Sequence, residues 1–131
     1  MERDYRGLPE DRALFGFSAG GLYALQTLFV QPGLLRRCVA ASCTWPGADE
    51  YLMKGERANA AGTPDSEVDL FLAVGGRETE QLEGFGELAG RLSGQAHPHW
   101  RVTTTIYDGE GHGSGVLARS FVDGVRAIYR S

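Results

Sequence analysis

The run Ala13-Leu14-Phe15-Gly16-Phe17-Ser18-Ala19-Gly20-Gly21 leaves almost no chain between an apolar stretch and the amphipathic stretch Leu22 to Val30. An apolar run that passes straight into a helical period is a strand-turn-helix, and the G-x-S-x-G at the joint is the sequence of a nucleophile elbow. So sharp a turn forces Ser18 into a strained backbone conformation, and its flanks must be nearly free of side chains so that strand and helix do not collide. Gly16 and Gly20 are expected to meet that need. The same geometry lifts the Ser18 hydroxyl above the sheet edge. It also turns the first N–H groups of the helix, beginning with that of Ala19, toward any anion formed beside it. With 19 glycines in 131 residues the bare motif arises by chance too readily to stand alone, so its context carries the reading.

That context is an alternation of strands and helices. Arg12 to Phe17 reads as a short buried strand. Gly20 to Val30 reads as a helix with Leu22, Leu25, Leu28 and Phe29 on one face, ended by Gln31-Pro32-Gly33. Cys38 to Ser42 and Asp69 to Val74 are further strands, Gln81 to Leu92 a helix with Leu82, Phe85, Leu88 and Leu92 in register, and Trp100 to Tyr107 a strand rich in β-branched residues. A last helix from about Val116 to Tyr129 is expected to turn Leu117, Phe121, Val125 and Ile128 to the core. Between Thr44 and Val68 the chain is polar and broken by Pro46, Gly47, Gly55, Gly62 and Pro64, so it reads as a long excursion with at most short helical pieces. The alternation predicts an α/β fold: a mostly parallel sheet with helices on both faces.

A chain of this length forms one small domain, 1–131, with a core of its own. The net charge of -4 and the scatter of the cations, all arginine except Lys54, give no footprint for nucleic acid. No apolar stretch approaches the roughly 20 residues of a membrane helix, and Met1 to Arg6 carries no apolar signal region. The expectation is a cytoplasmic protein with no membrane partner. Cys38 and Cys43 flank an extended run that holds them too far apart to bridge, so they read as buried or half-buried thiols, not as a disulfide or metal pair.

A serine hydroxyl needs a base, and the base needs an orienting acid. His97 and His99, in Gln95-Ala96-His97-Pro98-His99, read as solvated surface histidines. His112 lies in Asp108-Gly109-Glu110-Gly111-His112-Gly113-Ser114-Gly115, just past the carboxyl end of the last strand, where open parallel sheets place their working groups. The acid should follow the strand between them. Glu78 is the first candidate and Glu80 the second, although either reads equally well as a carboxylate favoured at a helix N-terminus, and a dyad without an acid stays open. Glu110 is a neighbour of His112, but two residues away on a tight loop it seldom points at the ring. The glycines at 109, 111, 113 and 115 lack the G-K-[ST] of a phosphate loop, and no Cys/His cluster has zinc spacing, so neither nucleotide nor metal is expected.

With these residues in place the chain resembles the esterase branch of the α/β-hydrolase superfamily that includes the trilactone, enterobactin-type siderophore esterases. The resemblance rests on Gly16 to Gly21, Gln31-Pro32-Gly33, Ala41-Ser42 with Trp45, Val74-Gly75-Gly76-Arg77-Glu78, and Gly109-Glu110-Gly111-His112-Gly113-Ser114. It covers nearly the whole chain. It implies Ser18 as nucleophile, His112 as base, Glu78 as acid, the Ala19 N–H as one oxyanion donor and Trp45 in the substrate cleft. No cofactor is implied. The implied substrate is a small-molecule carboxylic ester of siderophore or related type, with Thr44 to Val68 shaping the leaving-group side.

Members of that family carry a further amino-terminal half, with about four strands and the second oxyanion donor, so the resemblance is to the carboxyl-terminal half alone. The strand before Ser18 would then be an unpaired apolar edge. Met1 to Pro9 is too polar and short to cover it. A homodimer, a complementary amino-terminal hydrolase half or a truncated reading frame would each account for the edge. The competing reading is a catalytically silent hydrolase fragment that acts as a subunit or binding module.

Overall fold

Four short runs dominated by branched, aromatic and small apolar residues pair into one parallel sheet, and the segments between them coil into helices that cover it. A computed structural model of the chain describes residues 12–62 and 66–129, so the expectation for Met1 to Pro9 lies outside these residues. The elements run β1 (Ala13–Phe17), α1 (Ala19–Val30), β2 (Arg37–Ala41), α2 (Ala48–Ala61), β3 (Val68–Gly75), α3 (Thr79–Leu92), β4 (Trp100–Tyr107) and α4 (Ser114–Ile128). The strand order is β1-β2-β3-β4, every pair parallel.

Parallel sheets need cover on both faces, and the two inner strands show why their sequences are almost wholly apolar. Alternate residues of β2 and β3, Cys38, Ala40, Leu70, Leu72 and Val74, enter a large cluster with Leu25, Leu28, Leu52, Phe85, Leu88 and Leu92 from α1, α2 and α3. The intervening residues Val39, Ala41, Phe71 and Ala73 enter a second cluster with Val116 and Ile128 of α4. Register carries the carboxyl ends of the strands to one level: Phe17 pairs with Ala41, Ala41 with Ala73, and β3 runs on to pair Gly75 with Tyr107. The turns leaving β1, β2 and β3 and the loop after β4 therefore meet at one edge.

Three expectations are corrected here. The stretch from Thr44 to Val68 is not chiefly a loop, because α2 occupies fourteen of its residues. Its buried face is Ala48, Leu52, Met53, Glu56 and Asn59, so two polar side chains stand in core-facing positions and break the apolar period that would have announced a helix.

The second correction concerns α4, which buries Val116, Ser120, Gly124 and Ile128 and leaves Leu117, Phe121, Val122 and Val125 exposed. The helix lies so close to the sheet that a Cβ on Gly124 would stand 2.6 Å from a methyl of Val39. The small residues Ser120 and Gly124 at mid-helix suit that approach, and Leu117, Phe121 and Val125 are turned outward, while Ile128 faces the core as expected.

The third is His97, which is buried. Its Nε2 lies 2.8 Å from Glu56, whose carboxylate also accepts from Arg91 Nε at 2.7 Å and Nη2 at 3.2 Å. This network ties α2 to α3 and to the loop before β4. His99 is exposed as expected. Cys38 and Cys43 are free and buried, and no helix among the described residues is long and apolar enough to cross a membrane.

Candidate active site

Ser18 stands between β1 and α1 with φ 59° and ψ -121°, well inside the region that L-residues avoid. Strain of this kind persists only where the surroundings over-determine it. Here the Ser18 N–H still donates to Ala41 C=O at 2.8 Å, and its own carbonyl accepts the first helical bond, from Leu22 N–H at 3.1 Å. The chain is thus bound to the sheet and to the helix by the same residue. A Cβ on Gly16 would lie 2.1 Å from the carbonyl oxygen of Gly20, which accounts for that glycine. Gly20 itself faces open space, and the second tight position is Gly21, where a Cβ would meet Ala41 O at 3.1 Å. The close approach expected at Gly16 and Gly20 therefore falls on Gly16 and Gly21. The N–H groups of Ala19, Gly20 and Gly21 precede the first helical bond and point out of the helix end. No acidic side chain in the first turn offsets their positive field.

The loop after β4 brings His112 over the serine. Gly76 N–H donates to Tyr107 C=O at 2.8 Å and Arg77 N–H to Glu110 C=O at 2.9 Å, which fastens that loop to the turn after β3. His112 Nε2 is then 3.0 Å from Ser18 Oγ, and its Nδ1 is 2.5 Å from Glu78 Oε1. The imidazole packs at 5.0 Å on the ring of Phe17, the residue before the serine, and its side chain keeps 43% exposure. Glu110 reaches away from the ring, toward Gly115 and Arg119.

Glu78 sits at the N-cap of α3 yet makes no side-chain cap bond to that helix. Its carboxylate turns inward instead and is buried. Oε2 accepts from Ser42 Oγ at 2.6 Å and from Gly75 N–H at 2.7 Å; Oε1 accepts from Gln81 Nε2 at 3.0 Å and faces His112. Four partners use the acceptor sites of an ionised carboxylate. Gln81 is fixed in turn, its Oε1 accepting from Thr44 N–H at 2.9 Å and its carbonyl from Thr44 Oγ1 at 3.0 Å. Glu80, on the first turn of α3, is exposed to solvent.

Ser18, His112 and Glu78 are thus brought together, while Glu80 and Glu110 are not part of the arrangement. Trp45 lies just before α2, half-buried and packed against the larger core cluster. Sequence reasoning missed Ser42 and Gln81, which donate to the acid, and Thr44, which holds Gln81. Their signal was faint: two hydroxyl residues directly after an apolar strand, and an amide three residues beyond the acid on a helix start. Burial pushes both thiols up. Cys43 reaches about 12, with the nearby Glu78 charge adding to the burial effect against a partly offsetting backbone hydrogen bond, so neither cysteine is a ready nucleophile.

A parallel sheet wrapped by helices, with a strained serine on its strand-to-helix turn, is the α/β-hydrolase arrangement, and it resembles the carboxyl-terminal half of that fold. Solved structures similar to it include the BES protein from Bacillus cereus, at 26% identity and TM-score 0.81 over 94% of this chain and 48% of that one. The siderophore hydrolase EstB from Aspergillus nidulans matches at 26% identity and TM-score 0.71, over 88% of this chain and 48% of that one. An IroE-like serine hydrolase from Shewanella oneidensis shares the fold at 18% identity and TM-score 0.74, over 90% of this chain and 40% of that one. The chain therefore spans about half the length of the structures it matches. No protein-family model and no curated protein matches it.

Proposed function

We propose that the chain carries the catalytic centre of a serine hydrolase that cleaves a carboxylic ester through an acyl-enzyme. The observation that supports this most is the continuous line from Ser18 Oγ through His112 to the buried Glu78, at 3.0 and 2.5 Å. Ser18 Oγ attacks the ester carbonyl carbon while His112 Nε2 takes its proton, and the oxyanion is held by the N–H of Ala19 and its neighbours at the head of α1. Collapse breaks the bond to the alcohol oxygen, which leaves with the proton from His112. Water then repeats the sequence, freeing the acid and restoring Ser18. Glu78 keeps Nδ1 protonated so that Nε2 is the accepting nitrogen. The siderophore hydrolase among the structural relatives makes siderophore-type esters the first class to try, with Trp45 as a wall of the cleft.

The test is the intact mass of the purified protein after treatment with a fluorophosphonate. Stoichiometric labelling is expected, and it is expected to vanish in Ser18→Ala and in heat-denatured wild type. Folded wild-type protein that stays unlabelled overturns the reading.

A second reading is favoured by the border of the sheet. Among the described residues β1 is an outermost strand, and next to it α4 exposes Phe121 (52%), Val122 (47%), Leu117 (39%) and Val125 (36%), with Phe121 meeting Phe15 of β1 edge-on at 5.3 Å. Exposed apolar side chains beside an open strand are the mark of a surface that another chain covers. We infer that the occupant is a polypeptide of about this chain's own size, equivalent to the remaining length of the structural relatives, and that the chain alone is a subunit whose site is silent until it is joined. Light scattering across a concentration series should then show broad or aggregated material for the chain alone, with fast amide exchange in β1. A compact monomer that labels at Ser18 overturns this reading, and a defined dimer would assign the surface to a second copy.

A further inference from the structure

Among the described residues two that are not glycine have positive φ: Ser18 at 59° and Ser42 at 55°. They occupy equivalent places. Ser18 follows Phe17 and Ser42 follows Ala41, and those two are partners across the sheet. Each serine donates its N–H to the next strand at 2.8 Å, Ser18 to Ala41 C=O and Ser42 to Ala73 C=O. Each then leaves the sheet through a conformation that favours glycine. For Ser18 the strained turn presents a hydroxyl to the cleft. For Ser42 it presents a hydroxyl to the buried acid, since the residue is 1% exposed and its Oγ donates to Glu78 Oε2 at 2.6 Å.

We propose that Ser42 is a positioning residue: its strained turn aims a hydroxyl that, with the Gly75 N–H, clamps Oε2 of Glu78 and so commits Oε1 to the His112 Nδ1 proton. The proposal rests on the reading of Ser18, His112 and Glu78 as one site and adds to it the element that orients the acid. The alternative available to Glu78 is the one any N-cap carboxylate has, to fold back on the free N–H groups of its own helix. It does not take that option. Gly75 N–H alone is a single donor at 2.7 Å about which the carboxylate could swing, and the second donor on the same oxygen removes that freedom. Gln81, locked by Thr44, plays the matching part on Oε1, but it also lies 3.5 Å from His112 Nδ1, so its removal would disturb the ring directly. Ser42 touches the acid and not the base.

The experiment uses Ser42→Gly and Ser42→Ala in the whole chain. Glycine adopts the φ of residue 42 without strain and lacks the hydroxyl; alanine keeps the strain and lacks the hydroxyl. Two readouts are taken: the proton resonance of His112 Nδ1–H, expected far downfield and slow to exchange in the wild type, and the rate of fluorophosphonate labelling. Both variants should keep a cooperative thermal transition, lose or broaden the resonance, and label roughly 10- to 100-fold more slowly, the loss expected for one hydrogen bond to a buried charge. An unchanged resonance and rate in Ser42→Gly overturns the proposal, as does a normal Ser42→Gly beside an impaired Ser42→Ala, which would make strain the cause. Absence of the resonance from wild type overturns it too. If wild type shows the resonance and never labels, the esterase reading fails while the role of Ser42 is decided by the resonance alone.

Discussion

With Ser18, His112 and Glu78 acting as proposed, Glu78→Gln is expected to lower the rate of Ser18 phosphonylation, and of ester cleavage wherever it is measured, by about 10⁴-fold, the scale seen when the acid of such a triad becomes an amide. The reason lies in what surrounds the side chain. Gly75 N–H is a fixed donor 2.7 Å from Oε2, and Ser42 Oγ is 2.6 Å from the same atom, so a glutamine must put its carbonyl oxygen there. Its NH₂ group then faces His112 Nδ1 and the Gln81 amide, where an acceptor is required. The imidazole responds by accepting at Nδ1 and carrying its proton on Nε2, which faces Ser18 Oγ and can no longer take a proton from it. The measurement is a labelling time course beside a thermal melt. A slow variant with a near-normal melt is the expected result, and a variant within tenfold of wild type would remove Glu78 from the mechanism.

Glu56→Ala lowers the stability of the fold by about 1–3 kcal/mol, the usual effect of leaving a buried polar group without its partner, and drops the melting temperature by several degrees. Glu56 is fully buried, and its loss leaves buried His97 without its 2.8 Å partner and frees α2 from α3 at Arg91. Burial by itself would raise the Glu56 carboxyl, but the hydrogen bonds and charges of Arg91 and His97 outweigh it and hold it below its ordinary value of 4.5. A carboxyl lower in the folded than in the unfolded chain stabilises above the unfolded value, and that contribution is lost as pH falls through the folded one. Wild type should therefore lose melting temperature faster than Glu56→Ala as pH is taken from 5 down to 3, and parallel curves would count against the network.

The three residues that the fold brings together at the candidate site were legible because each sits beside a punctuation mark of the chain. Ser18 is framed by glycines between an apolar run and a helical period, Glu78 follows a strand ending in two glycines, and His112 lies in a glycine-rich loop after the last strand. The strands were legible for a related reason: a parallel sheet covered on both faces needs unbroken apolar runs, and Cys38 to Ala41 and Leu70 to Val74 have them.

What escaped depends on partners distant in sequence. α2 was hidden because Glu56 and Asn59 occupy its inner face, and Glu56 belongs there only once Arg91 and His97 arrive from thirty or more residues away. The inward face of α4 was misplaced because Gly124 lies against Val39 and Ser120 is buried one turn before it, and closeness of that kind is a property no hydrophobic period records. Ser42, Thr44 and Gln81 are ordinary polar residues until their hydrogen bonds are seen.

Ser18 rides on the border strand of the sheet, so the ladder that holds its backbone is bonded to β2 and to no second strand among the described residues. Segments held on one side open at lower free energy than interior ones. An occupant of the border that binds only the ordered strand stiffens the elbow, and linkage makes that effect run both ways. If a partner covers that border as proposed, whatever seats on Ser18 and is held better by the ordered elbow would tighten the partner's hold by the same factor, each tenfold of coupling being worth about 1.4 kcal/mol. An acylated serine would then be an assembly signal as well as a reaction intermediate, and turnover would be the event that loosens the join.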